Sequence, residues 1–167
     1  MNLYILRHGI AAEAGVASIH KDSERPLTDE GERKVRKVAR AMQSLEVSLD
    51  LILSSPYVRA RQTAEIVADV FHARNKLELS DALTPGGDAR TVIRRIAEGE
   101  PAPKDVLLAG HEPYLSELIS MLLSGKSDLA IVMKKAGLCK LSAESLHYRR
   151  CASLEWLLPP KWMTLIG

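Results

Sequence analysis

Cysteine is scarce: Cys139 and Cys151 are the only two in 167 residues, and neither lies in a CxxC or Cys/His ligand spacing. That excludes a disulfide framework and a structural zinc site, and it predicts a reducing, cytoplasmic compartment. Aromatic residues are sparse too, with one Phe, two Trp and four Tyr, too few to build a stacking surface for single-stranded nucleic acid. Charge of either sign is nearly absent in the balance, since 23 Lys and Arg face 21 Asp and Glu for a formal +2. Bulk electrostatic capture of nucleic acid or of a membrane therefore has no support, and any basic chemistry must be local. Long hydrophobic runs are missing as well. Met1 to Leu6 is apolar but meets Arg7 and His8 at once, too short for a signal peptide or a membrane span, and it reads as a strand.

What is present is the profile of one soluble domain over residues 1–167, with 46% apolar and 26% charged residues and no repeat. Residues 2–6, Leu51 to Leu53 and Asp105 to Ala109 are short apolar runs of the kind buried on both faces of a parallel sheet. Between them lie helical patterns. Thr28 is placed to cap a helix carrying Val35, Val38, Ala39, Met42 and Leu45 inward, with the basic run Arg33 to Arg40 outward. Such a row is ordinarily a solvated face, although an acidic partner could dock on it. Ser55 as cap and Pro56 as first helical residue predict a second helix running to about Phe71. A weak strand near Leu77 to Leu79, a helix through Val92, Ile93 and Ile96, and a helix from Pro113 with Leu115, Leu118, Ile119 and Leu122 inward complete the alternation. Leu129 to Met133, Leu138 to Leu141 and Ala152 to Leu157 read as further strands, with a hairpin loop near Glu144 to His147. The predicted fold is a three-layer αβα sandwich whose central sheet is mainly parallel with an antiparallel edge.

Ligands of such sheets bind beyond the carboxyl ends of the strands. Three strands here end in polar residues: Arg7-His8-Gly9, Ser54-Ser55 with Arg59 one turn on, and Gly110-His111-Glu112. If those strands are neighbours, two histidines and two arginines converge. Two guanidinium groups beside helix N-termini suit a phosphate, because each can hold an oxyanion edge through a paired, charge-assisted contact. A neutral histidine among them is a nucleophile, one ring nitrogen attacking phosphorus while the other is held by a backbone carbonyl. His8 fits that part, and Arg7, Arg59 and His111 are the candidates for phosphate binding and transition-state stabilisation; no metal or other cofactor is required. Taken singly, each has a plainer explanation, as a hydrogen-bonded strand-end histidine or an exposed helix arginine. His20, His72 and His147 have no motif around them.

Leu6-Arg7-His8-Gly9 resembles the RHG signature of the histidine phosphatase superfamily, also called phosphoglycerate mutase-like. Ser54 to Ala64 is similar to its second block, and Gly110-His111-Glu112-Pro113 to its third. The stretch Arg25-Pro26-Leu27-Thr28-Asp29-Glu30-Gly31 and the loop Leu83 to Asp88 resemble the SixA-type phosphohistidine phosphatases within it. The resemblance implies hydrolysis of phosphohistidine on a histidine-phosphorylated protein such as a phosphotransfer domain. It makes His8 the phosphorylated nucleophile and sets Arg25 at the entrance.

Many members of the superfamily place a glutamate here as proton donor to an alcohol leaving group, whereas this chain has Asp81-Ala82-Leu83-Thr84. An alkoxide leaves poorly without a proton, while an imidazole leaving from a P–N bond can take its own from solvent. The departure favours a phosphoramidate substrate, and Asp81 and Asp88 stand as neighbouring carboxylates able to serve in the glutamate's place or to bind substrate. Two other functions stay open: a small-molecule phosphomonoesterase using the same pocket, and a phosphoprotein-binding module without turnover.

Overall fold

The computed structural model describes residues 1–13 and 20–166. Its elements in chain order are β1 (Asn2–Arg7), α1 (Asp29–Ser44), β2 (Leu51–Ser54), α2 (Val58–Val70), β3 (Leu77–Leu79), α3 (Ala89–Ala97), β4 (Asp105–Gly110), α4 (Tyr114–Ser124), β5 (Leu138–Ala143), β6 (Ala152–Leu158) and α5 (Pro160–Ile166). The strands form one six-stranded sheet in the order β3-β2-β4-β1-β5-β6. β1, β2, β3 and β4 pair in parallel, and β5 and β6 add an antiparallel edge. Leu6 sits opposite Ala109 and Arg7 opposite Gly110, while Ser54 sits opposite Ala109 on the other side of β4. β1, β4 and β2 therefore end at one level. No described helix is long and apolar enough to cross a membrane.

Alternation along each strand divides the core between the two faces of the sheet. Tyr4, Leu6, Ile52, Leu107 and Leu138 pack with the inner stripes of α1 and α2 and with Met163 of α5. Leu3, Ile5, Leu53, Val106, Leu108 and Leu141 pack with α3 and α4. Thr28 caps α1 as its sequence predicts, its Oγ1 accepting from the Gly31 amide at 3.0 Å.

Three local expectations are corrected. α2 begins at Val58, because Tyr57 supplies the first helical carbonyl, to the Ala60 and Arg61 amides, while Ser55 Oγ accepts from the Tyr57 amide at 3.3 Å. Ser55 closes a turn before the helix instead of capping it. Leu129 to Met133 is not a strand: its β-branched residues favour extended backbone, but it runs past the end of β1, where the Met133 carbonyl takes a hydrogen bond from Arg7 and no strand pairs with it. The segment that starts at the second residue of the double proline Pro159-Pro160 is the helix α5, which sequence periodicity leaves unassigned. Met163 anchors it, fully buried, a contact worth roughly 2 kcal/mol.

Candidate active site

β1 delivers Arg7 and His8 to the end of the sheet, and the His8 amide continues the ladder by donating to the Gly110 carbonyl at 3.0 Å. The chain then turns under α1. Only glycine fits next, because a Cβ on Gly9 would stand 2.7 Å from Val35 Cγ2. That close approach leaves the Gly9 carbonyl 2.7 Å from His8 Nδ1. A carbonyl only accepts, so Nδ1 carries the proton and Nε2 keeps its lone pair. The segment that precedes β5 braces this turn from the other side, with the Ala136 amide donating to the Arg7 and His8 carbonyls.

α2 supplies the next group. Arg59, in its first turn, is only 5% exposed and directs its guanidinium inward, Nε lying 3.3 Å from His8 Nε2. Four residues on, Thr63 Oγ1 donates to the Arg59 carbonyl at 2.7 Å and accepts the Gly9 amide at 3.1 Å. One hydroxyl thus ties the histidine turn to the arginine helix. β4 supplies His111, whose ring centroid is 5.2 Å from that of His8 and 5.2 Å from that of Tyr57. Its Nε2 lies 2.9 Å from Ser55 Oγ. The Ser55 hydroxyl can donate its proton to that nitrogen while its oxygen accepts from the Tyr57 amide, and in that arrangement Nδ1 carries the ring proton. That Nδ1, like Arg7 Nε, is buried without a hydrogen-bond partner among the described residues.

Burial is the first cause of the histidines' electrostatics. Desolvation lowers His8 to a pKa of about 4; the Gly9 carbonyl opposes it, and repulsion from Arg59, then Arg7 and Lys135, adds to the lowering. Desolvation also lowers His111 to about 3, with Arg59, His8 and Arg7 adding to it against the opposing Asp22 charge. Both rings are neutral at pH 7 among fixed positive charges. The arrangement has the parts to bind a dianion, present a neutral imidazole nitrogen to it and donate to its oxygens.

The four central residues expected from sequence, Arg7, His8, Arg59 and His111, stand together at the ends of β1, α2 and β4. Arg25 stands next to them. Its Nε donates to the Ala12 carbonyl at 2.7 Å and its Nη1 to Asp22 Oδ1 at 2.8 Å, while Asp22 Oδ2 accepts from Arg59 Nη2 at 2.8 Å. Asp22, unmentioned by sequence reasoning, thus bridges the two arginines. Burial opposes its ionisation, but the hydrogen bonds from Arg25 and Arg59 outweigh that and hold it below the usual carboxylate range. The i,i+3 spacing of Asp22 and Arg25 was the signal available for it. Asp81 is exposed, with no side-chain hydrogen-bond partner among the described residues. Asp88 caps α3, accepting from the Arg90 amide and the Thr91 hydroxyl.

A family model described as Histidine phosphatase superfamily (branch 1) matches residues 3–84. An uncharacterised protein of Picosynechococcus sp. is 34% identical over 98% of this chain and 99% of its own length. The phosphohistidine phosphatase SixA of Escherichia coli is 33% identical over 76% of this chain and 77% of its own. The solved structure of the protein histidine phosphatase SixA complexed with tungstate aligns with TM-score 0.82 at 27% identity, covering 98% of this chain and 99% of that one.

Proposed function

The chain belongs to the histidine phosphatase superfamily, a phosphatase with SixA relatives along most of its length, and from that premise we propose that it hydrolyses phosphohistidine carried on a protein, through a phosphohistidine intermediate on His8. The observation that carries the reading is the His8 ring itself, held by the Gly9 carbonyl at 2.7 Å with its Nε2 unprotonated beside Arg59. A SixA relative solved in complex with tungstate, a tetrahedral oxyanion like phosphate, supports an oxyanion as the kind of group this chain binds.

In the first step the Nε2 lone pair forms a bond to phosphorus as the substrate's P–N bond breaks. The leaving imidazole keeps that electron pair and takes a proton from solvent. Arg7, Arg59 and the Nδ1–H of His111 hold the non-bridging oxygens, where charge shifts as the bonds change. In the second step a water oxygen attacks phosphorus, His8 recovers its bonding pair, and orthophosphate departs with the water's proton shared to solvent. The Gly9 carbonyl keeps Nδ1 protonated throughout, which makes the phosphorylated imidazole a better leaving group for water.

No metal takes part in these steps, and no carboxylic acid is needed. Asp22, the carboxylate that touches Arg59, is held ionised and is an acceptor, not a proton donor. An imidazole leaving group tolerates that, and an alkoxide does not. The reducing cytoplasm suits the two free cysteines.

The test is phosphate release, in the presence of chelator, from a histidine-phosphorylated phosphotransfer domain and from an alkyl phosphate, with His8→Ala as control. Release from phosphohistidine that depends on His8 is expected. Preferred turnover of the alkyl ester would assign the chain to the small-molecule phosphatases. Tight binding without release would make it a phosphoprotein-binding module.

A further inference from the structure

A groove of about 720 Å³ opens beside the phosphate site and shares Arg7 with it. Its rim carries Lys34, Lys134, Lys135 and Lys161 in addition to Arg7, and no carboxylate of the described residues lines it. In a chain with a formal charge of only +2, that is a strong local concentration of one sign. The floor is apolar: Ile10, the Pro159-Pro160 step and Trp162. Trp162 is 56% exposed, an unusual position for the larger of the chain's aromatic types. Lys34 alone of the four lysines has an ion-pair partner among the described residues, Glu30 at 3.4 Å. Through Lys34 the groove continues into a smaller hollow on α1 where Arg33 and Lys37 stand beside Glu30, three cations to one carboxylate.

We propose that this groove is the docking surface for the acidic protein that carries the phosphohistidine, an acidic segment of which lies over the Trp162 floor while its phosphohistidine reaches His8. The inference rests on the phosphohistidine reading above and names the partner's surface. Lys134, Lys135, Lys161 and Trp162 stand exposed on the surface and Lys34 is half-buried, so a metabolite would not gain the enclosure that small-ligand sites provide. The surface is concave, where a planar bilayer would leave the prolines and Ile10 uncovered. His8, only 6% exposed, is reached by a phosphoryl group on a folded carrier only if the carrier settles on the adjoining rim. A protein with carboxylates around an apolar tip meets all three conditions, and the uncompensated lysines would steer its approach.

The experiment compares two substrates, a histidine-phosphorylated phosphotransfer domain and the free amino acid N-phosphohistidine. The enzymes are wild type, the Lys134→Glu/Lys161→Glu double variant and Trp162→Ala. All three altered side chains are exposed, and turnover of the free amino acid doubles as the control for folding. The expected result is a tenfold or greater rise in KM for the domain in the charge variant, several-fold in Trp162→Ala, and unchanged turnover of N-phosphohistidine. Wild-type KM for the domain should also rise with salt, and that for the amino acid much less. Equal losses on both substrates, or no loss on the domain, would overturn the docking surface while leaving the catalytic reading standing. Wild type inactive on both substrates would remove both. Sedimentation with phosphatidylglycerol vesicles, abolished by the same variants while domain turnover persists, would overturn it in favour of a membrane.

Discussion

At the carboxyl end of β1 and β4, His111 meets Ser55 at 2.9 Å inside a buried cluster with His8 and Arg59. At the other end of the sheet His147 meets Ser145 at 3.1 Å, in a concavity of about 720 Å³ that Arg149 and Arg150 also line. The residue types are nearly the same. The first pair is 56 residues apart in the chain and the second two. A long-range pair is imposed by the fold, so its geometry is specified; a local pair on an exposed loop is one conformer among several. Burial of the polar atoms separates the two regions. Water screens the exposed histidine and arginines, while at the buried site each charge acts on its neighbours through a medium of low polarity.

The sharpest way to break this comparison is to remove the histidines in turn. His8→Ala should abolish phosphate release, a loss of at least about 10⁴-fold, because no second group can carry the phosphoryl. His147→Ala should leave the rate unchanged. Measured phosphate release from both variants, with circular dichroism to establish folding, decides the matter; residual activity in His8→Ala near the wild-type rate would end the covalent scheme. The next largest effect belongs to Arg59→Ala and His111→Ala, each expected to lose about 10²- to 10³-fold in kcat, about 3–4 kcal/mol of transition-state stabilisation. Arg149→Ala and Arg150→Ala should stay within about twofold.

Protonation tests the same contrast through stability. His8 and His111 are lowered to about 4 and about 3 in the folded protein, below the ordinary value of about 6.5 for an unfolded chain. Between those limits the unfolded state binds more protons than the folded one, so stability increases with pH across that window. It is fully present above about pH 6.5 and is lost as pH falls toward about 4 for His8 and about 3 for His111, at no more than roughly 1.4 kcal/mol per pH unit for each histidine. Urea unfolding at pH 5 and pH 7 measures it. Replacing His8 or His111 should flatten the dependence, and His147→Ala should not. Binding of sulfate, which stays a dianion near pH 5, places negative charge against both rings and should raise their pKa values, seen as proton uptake on binding.

How far each region was legible in sequence follows the same division between local and long-range causes. The cap at Thr28, the inward stripe of α1 from Val35 to Met42 and the strand runs of β1, β2 and β4 are written in adjacent residues, and the structure has them where the pattern puts them, except that Leu45 lies exposed just past the helix end. The convergence of Arg7, His8, Arg59 and His111 was legible because the α/β alternation brings strand ends to one edge. Leu129 to Met133 misled because its strand propensity is overruled by the Arg7 guanidinium, which claims the Met133 carbonyl across 126 residues. Asp22 stayed hidden because its contact with Arg59 spans 37 residues and nothing local marks it beyond Arg25. Beside a proline Ser55 reads as a helix cap, but its oxygen is engaged by Tyr57 and His111.

Ser55 supplies the smallest and most diagnostic test. If its hydroxyl fixes which nitrogen of His111 carries the proton, Ser55→Ala leaves both arginines and His8 in place and releases only the tautomer. The ring then divides between two forms, one of which turns a lone pair instead of a proton toward the phosphoryl oxygens. A loss of about tenfold in kcat, about 1.4 kcal/mol, is expected, with KM little changed because the guanidinium groups still bind the phosphate. A purely structural role would instead lower the melting temperature and leave the rate per folded molecule intact. Ser55→Thr, which keeps the hydroxyl, should restore most of the rate, and ¹⁵N chemical shifts of His111 should report a single tautomer in wild type and a mixture in Ser55→Ala. Ser145→Ala should change neither the His111 shifts nor the rate. If it did, the division between a specified buried pair and an unspecified exposed one would fail at its most local point.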